Sequence, residues 1–327
     1  MTQQLTKILG IPMFPNVGLP FTQGNIYHVK PSSGLDSNDG LSPDSALQTL
    51  ARAQLLATAD QNDIVLLYSE SNSASSTTDY QSSTLDWAKD GVHLFGVCAN
   101  SPMSLRSRVA FASTYDTAAN LFTVSANNCI IANIAFYAGV AGTNPTGCMQ
   151  VTGSRLYFQN CHIAGIGNDN NDIAGAYSLL VDGAEEVLFD HCNIGLNTVD
   201  AGTNANSEIL FDSAAKNIFF ENCKIYRRIE HATKHPLVKF ADATSMDEII
   251  EFKACGFIST STNRAVNNAS PFKFVATPTQ GYVFIDPACY CYNGDTAGKW
   301  DVDDSNKILV TGSPTPAADT AQIGRLV

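Results

Sequence analysis

Apolar residues in this chain come in short alternating runs, and the runs recur at a nearly fixed distance. Four segments superpose: LYFQNCHI (156–163), VLFDHCNI (187–194), IFFENCKI (218–225) and IEFKACGF (250–257). Phe158, Phe189, Phe220 and Phe252 are separated by 31, 31 and 32 residues, and Phe284 follows after 32 more. Cys161, Cys192, Cys223 and Cys255 keep the same offsets, and CIIANIAF (129–136) is a looser copy. The two-residue period of a strand places the first apolar residue and the Phe inside. Gln159, Asp190, Glu221 and Lys253 then face out. Asn160, His191 and Asn222 fall at a corner, where a short polar side chain tolerates an unusual dihedral. Beyond the corner, Cys161 and Ile163, with their equivalents, turn inward again. A second apolar strand precedes each motif, at 149–152, 179–182, 209–212, 237–240 and 272–275.

Self-similarity at this period is the signature of a solenoid, in which each coil buries its apolar face only against its neighbours. The expected fold is all-β: one right-handed parallel β-helix over residues 25–306, with a short N-terminal capping helix. The cap begins with a strand at 26–29 and a turn at 34–40. A helix starting at Ser42-Pro-Asp-Ser then carries Leu47, Leu50, Leu55 and Leu56. Residues 1–24 read as an extended apolar arm, and 307–327 as a strand followed by a Pro/Ala/Thr-rich tail. Long polar insertions at 164–177, 195–207, 226–236 and 259–270 occupy one position in the coil, which lines them along one edge.

Composition agrees with this reading. Hydrophobic residues make up 44% and charged residues only 15% of the 327 positions, fewer charges than the outer faces of a helical bundle need. The net charge of −12 excludes a phosphate backbone as principal partner, so no nucleic acid is expected. No run of 18 apolar residues is present, so no membrane span is expected. The opening residues lack the apolar stretch of a signal peptide, which points to assembly in a cytoplasm. The nine cysteines are expected to be reduced and to pack inward as small hydrophobes.

Candidate chemistry is sparse. Hydrolysis of a glycan needs two carboxyl groups on either side of the bond. Asp190 and Glu221, on adjacent rungs of one outward ladder, are the catalytic candidates if the chain is an enzyme; Asp182 and Asp212 form a second pair. Lysis would need a basic acceptor, for which Lys224, Arg227 and Arg228 lie near Glu221 and Glu230. Residues 36–40 (DSNDG) lack the downstream Glu of a calcium loop and read as a turn. His231 and His235 are four apart, but Pro236 removes the helix that would align them. The lone Cys289-x-Cys291 spacing does not make a zinc site, and no P-loop, dinucleotide fingerprint or nucleophile elbow is present. No metal and no cofactor are expected.

The run YHVKPSSGLDSNDGLSPDSALQTLARA (27–53) resembles the opening of pectin-lyase-like right-handed β-helix proteins. In that superfamily a strand, a Gly-x-Asp turn and a Pro…Thr-Leu…Ala helix cap the solenoid. The resemblance covers roughly residues 25–295 and implies fold more than activity. The superfamily includes polysaccharide lyases and hydrolases, phage tailspikes and structural virion proteins. The expectation drawn from it is a non-enzymatic structural protein of a phage virion, a capsid decoration or cement subunit. Its arms would bind major capsid or other virion proteins, and it would associate as a homo-oligomer, with a trimer in view. The alternatives are a tailspike-like depolymerase using Asp190 and Glu221, or a glycan-binding receptor module.

Overall fold

A computed structural model describes residues 6–8, 11–13, 24–73, 78–101, 103–112, 120–140, 146–168, 172–231, 236–260, 271–292, 300–301 and 306–310. Three parallel sheets wrap one apolar core. The first has ten strands, from Ile26–Val29 to Ile308–Val310, the second eight, from Thr78–Gln81 to Tyr290–Tyr292, and the third seven, from Leu85–Trp87 to Phe272–Phe274. One coil runs through Leu156–Gln159 of the first sheet, His162–Ala164 of the second and Tyr177–Val181 of the third. It then re-enters the first at Glu185–Asp190. The expected parallel β-helix is therefore the fold. The predicted insertions all fall between strands of the second sheet and the third, though Asn193–Asp200, Lys224–Arg228 and Gly256–Thr260 take up the first part of three of them, and 261–270 lies outside the described residues.

Like residues sit on like. Phe158, Phe189, Phe220 and Phe252 are in direct register. Their rings stack at centroid distances of 4.6, 4.9 and 4.6 Å, tilted by 10° or less. A second column, Phe211, Phe240 and Phe274, stacks at 4.9 and 4.4 Å on the third sheet. Each fully buried Phe is worth about 1.5–3 kcal/mol of transfer free energy. Phe284 departs from the pattern: Ile285 pairs with Phe252, so Ile285 takes the core position and Phe284 faces outward. The last coil has gained one residue, which reverses the face each side chain takes.

The corners are single left-handed residues. Asn133, Asn160, His191, Asn222 and Ala254 have φ between 47° and 58°, a region that Asn tolerates through local hydrogen bonding. Immediately after each of the last four, a cysteine points inward and donates from Sγ to a carbonyl of the preceding coil. Cys192 reaches Phe158 O (3.6 Å), Cys223 reaches Phe189 O (3.3 Å) and Cys255 reaches Phe220 O (3.2 Å). All nine cysteines are free, and only Cys98 is not buried. Burial pushes Cys129, Cys148 and Cys291 up to about 12, and burial with neighbouring thiols raises Cys161 and Cys223. Because the other eight are shut away from solvent, the folded protein should give up one thiol to a maleimide at pH 8, at Cys98, and the rest only in denaturant. Rapid labelling of Cys192 or Cys223 in the native state would contradict the column.

The cap differs in detail from expectation. Ser42 caps a 3₁₀ turn, Pro43–Ser45, and Leu47 forms a bridge with Val29; the α-helix is confined to Leu50–Leu56 with Thr49 as its N-cap. Leu47 and Leu50 are sealed, while Leu55 faces solvent. The reason lies in Asp36, whose carboxylate takes the backbone N–H groups of Gln48 and Thr49 (both 2.9 Å) and the Thr49 hydroxyl. That fixes Thr49 as the start of the helix. Asp79, on the first strand of the second sheet and fully covered, accepts the Leu50 N–H at 3.0 Å.

At the far end, Ile308–Val310 extends the first sheet by pairing with Tyr282–Ile285. The rest of the tail lies outside the described residues. Of the N-terminal arm, the strands Thr6–Ile8 and Ile11–Met13 pair antiparallel with each other, and the remainder lies outside them too. Among the described residues no helix is long and apolar enough to cross a membrane.

Candidate functional site

The outward ladder Gln159, Asp190, Glu221 and Lys253 closes successive strands of the first sheet, immediately before the left-handed corner. Asp190 and Glu221 stand on adjacent rungs, as the repeat demands, yet their surroundings differ sharply. The Asp190 side chain is only 6% exposed. Its Oδ2 accepts the Tyr157 hydroxyl at 3.0 Å and its Oδ1 faces His191 Nδ1 at 2.5 Å. Burial, followed by the Asp190 charge, pushes the Tyr157 phenol up, so it stays a donor. Glu221 is partly exposed and bonded to the Lys253 ammonium at 3.2 Å. Asp190 is thus tied into the wall of the solenoid, and Glu221 is neutralised by the next rung.

His191 was visible in the sequence only as a corner residue. Its ring is half-exposed and stands where neighbouring coils place Asn or Ala. A carboxylate that bonds one ring nitrogen fixes the orientation of the imidazole and leaves the other nitrogen directed elsewhere. The signal was available in the repeat: His191 is the single imidazole in a column of Asn133, Asn160, Asn222 and Ala254.

A second polar ladder runs along the third sheet. Tyr177 Oη donates to Asn120 Oδ1, Asn120 Nδ2 to Gln150 Oε1 (2.7 Å), and Gln150 Nε2 to Asp182 Oδ2 (3.0 Å). One coil beyond, burial and then the charges of Asp182 and Asp242 raise the Asp212 carboxyl above its ordinary value. Between the second and third sheets, the buried Glu208 carboxylate accepts the Ser178 hydroxyl at 2.5 Å. It also faces the fully buried Arg227, whose Nη1 donates to Pro236 O at 2.9 Å. Such a pair holds the corner together, because removing one partner strands the other charge in a dry interior.

His231 Nε2 lies 2.7 Å from Asp200 Oδ2, and His235 lies outside the described residues. Among the described residues no group of three or more His, Cys, Asp or Glu side chains converges to hold a metal.

No protein-family model matches this chain, and no curated protein matches it in sequence. Solved structures do share its architecture. Pectate lyase Pel9A aligns with a TM-score of 0.55 at 14% identity, over 88% of this chain and 68% of that one. A rhamnogalacturonan lyase aligns at 0.52 and 12%, over 83% and 69%. Pectin methylesterase PemA from Erwinia chrysanthemi aligns at 0.50 and 15%, over 81% and 80%. At these identities the likeness is one of fold, and activity must be argued from the side chains.

Proposed function

We propose that this chain, a pectin-lyase-like parallel β-helix by its fold, is a structural subunit of a phage virion, of the capsid decoration or cement type. The observation that supports this reading best is the outer face of the first sheet. Ile130, Tyr157, Leu188, Phe219, Glu251, Phe284 and Leu309 follow one another in register on that face. Glu251 alone interrupts an apolar or aromatic row, and every member is partly accessible. Strands apolar on both faces are those of sheets covered on both sides, and long exposed apolar rows mark contact surfaces. The neighbours would be major capsid or other virion proteins and further copies of the chain, grouped as a homotrimer. The commitment of Asp190 and Glu221 to Tyr157, His191 and Lys253 adds weight, since neither carboxylate is left as a free acid or base. Mass spectrometry of purified particles should find the chain at a fixed copy number per capsid; its absence would rule the role out.

A second reading, a polysaccharide-cleaving enzyme, is favoured by Asp212. Burial and neighbouring carboxylates make Asp212 hold its proton more tightly than an ordinary aspartate, the direction in which a general acid is tuned beside a second carboxyl group. Incubation with capsular polysaccharides would then release reducing ends, and Asp212→Asn would stop the release. Release that survives both Asp212→Asn and the double change Asp190→Asn, Glu221→Gln would dismiss both carboxylate pairs.

A further inference from the structure

Three tyrosines gather on the outer face of the second sheet at its C-terminal end. Strand alternation turns Ile225, Phe257 and Cys291 into the core, so Tyr226, Ile258 and Tyr292 form an outward column on successive rungs. Lys224, Gly256 and Tyr290 form the adjacent column. Tyr290 is 43% and Tyr292 58% exposed. The Tyr290 ring lies back across the preceding rung, since a Cβ on Gly256 would sit 2.6 Å from both its Cζ and its Oη. Gly256, having no side chain, thus leaves the bed in which the ring lies. None of the three phenol hydroxyls, nor the exposed Lys224 ammonium, has a partner among the described residues.

These features select among ligands. A protein partner is gripped by aromatic side chains that insert into pockets and are sealed from water. A ring lying flat, by contrast, offers a face on which the C–H side of a pyranose can stack, and its free hydroxyl can bond the sugar's own. Tyr226 and Tyr292 are two rungs, or about 10 Å, apart along the solenoid axis, which suits a polymer running along the axis more than a single sugar. Lys224, without a partner among the described residues and on a chain of net charge −12, supplies the local cation that a carboxylate substituent needs.

The geometry points to a binding track for an acidic glycan on the last rungs of the second sheet, formed by Tyr226, Tyr290 and Tyr292 with Lys224 as the anion contact. The track involves neither carboxylate ladder and goes beyond the structural role, giving the particle a means of attachment. Affinity electrophoresis of the full chain through gels containing polygalacturonate, alginate or hyaluronate, with dextran as the neutral counterpart, tests it. At least one acidic polymer should retard the chain and dextran should not. The double change Tyr290→Ala, Tyr292→Ala should weaken that retardation about tenfold. Lys224→Gln should weaken it too and reduce its salt dependence. Gly256→Val, which lifts the Tyr290 ring, should do the same in a protein whose circular dichroism and melting are retained. The track is overturned if no acidic polymer retards the chain, if dextran does so equally, or if the tyrosine variants migrate like the parent. It is likewise overturned if size-exclusion chromatography shows the tyrosines holding copies of the chain together.

Discussion

Replacing Phe220 with alanine should cost about 3–5 kcal/mol of stability, the range for a buried aromatic truncated to a methyl group. Phe220 is fully buried. It stacks on Phe189 at 4.9 Å and on Phe252 at 4.6 Å and meets the edge of Phe211 at 6.5 Å. The cavity left behind cannot readily close, because the coils above and below are held at their spacing by parallel strand pairing on both sides. The adjacent Phe219 supplies the control: it has the same chemistry on the same strand but faces out, and Phe219→Ala should cost about 1 kcal/mol or less. Urea denaturation of the two variants compares them directly. Equal losses would mean that the inner column is not what holds the rungs.

Asp79→Asn should stabilise the protein at pH 8 and do little at pH 4. Burial raises the Asp79 carboxyl from its ordinary 3.8 to about 7, with the Asp36 charge adding to it and the Leu50 N–H opposing it. A folded-state value above the unfolded one means that the folded chain holds the proton longer. The stability due to the neutral form is full below about pH 4 and is lost as pH rises through about 7. The gap corresponds to on the order of 4 kcal/mol. Asparagine keeps an oxygen for the Leu50 N–H and has no charge to desolvate, so the variant escapes the loss. The difference between variant and parent, measured by urea titration at several pH values, should grow from pH 4 to pH 8. A difference that stays flat would place the Asp79 carboxylate in water. Because Asp79 meets the first turn of the capping helix, the same experiment measures how firmly the cap is held.

The sheets were legible in the sequence because stacking makes one position answer for many. A Phe, a corner Asn and a Cys repeated every 31 residues can mean only that equivalent rungs share one environment. Phe284 shows the limit of counting: its spacing fits, but Val283 and Ile285 are the apolar residues of the inward phase, and alternation outranks period. The cap departs from expectation because apolar residues at 47, 50, 55 and 56 have the spacing of one helix. In fact Asp36, reaching from the preceding turn, decides where the helix starts. The candidate carboxylates were placed on the right rungs, yet what surrounds them comes from other coils. Tyr157 meets Asp190 from 33 residues away and Lys253 meets Glu221 from 32 away. The Tyr290 ring depends in the same way on a missing side chain at Gly256. Contacts between rungs can be read from a repeat only where the residues themselves repeat.

The left-handed corners carry one last implication. Since Asn160, His191, Asn222 and Ala254 bend the backbone by nearly the same φ, each coil hands the next an almost identical starting direction, and a further coil could be spliced in without altering the path of the rest. Each duplication of a segment such as 158–188 would lengthen the body by about 4.8 Å. Such a chain is a ruler graduated in whole turns, able to change its reach in fixed steps while keeping its cross-section.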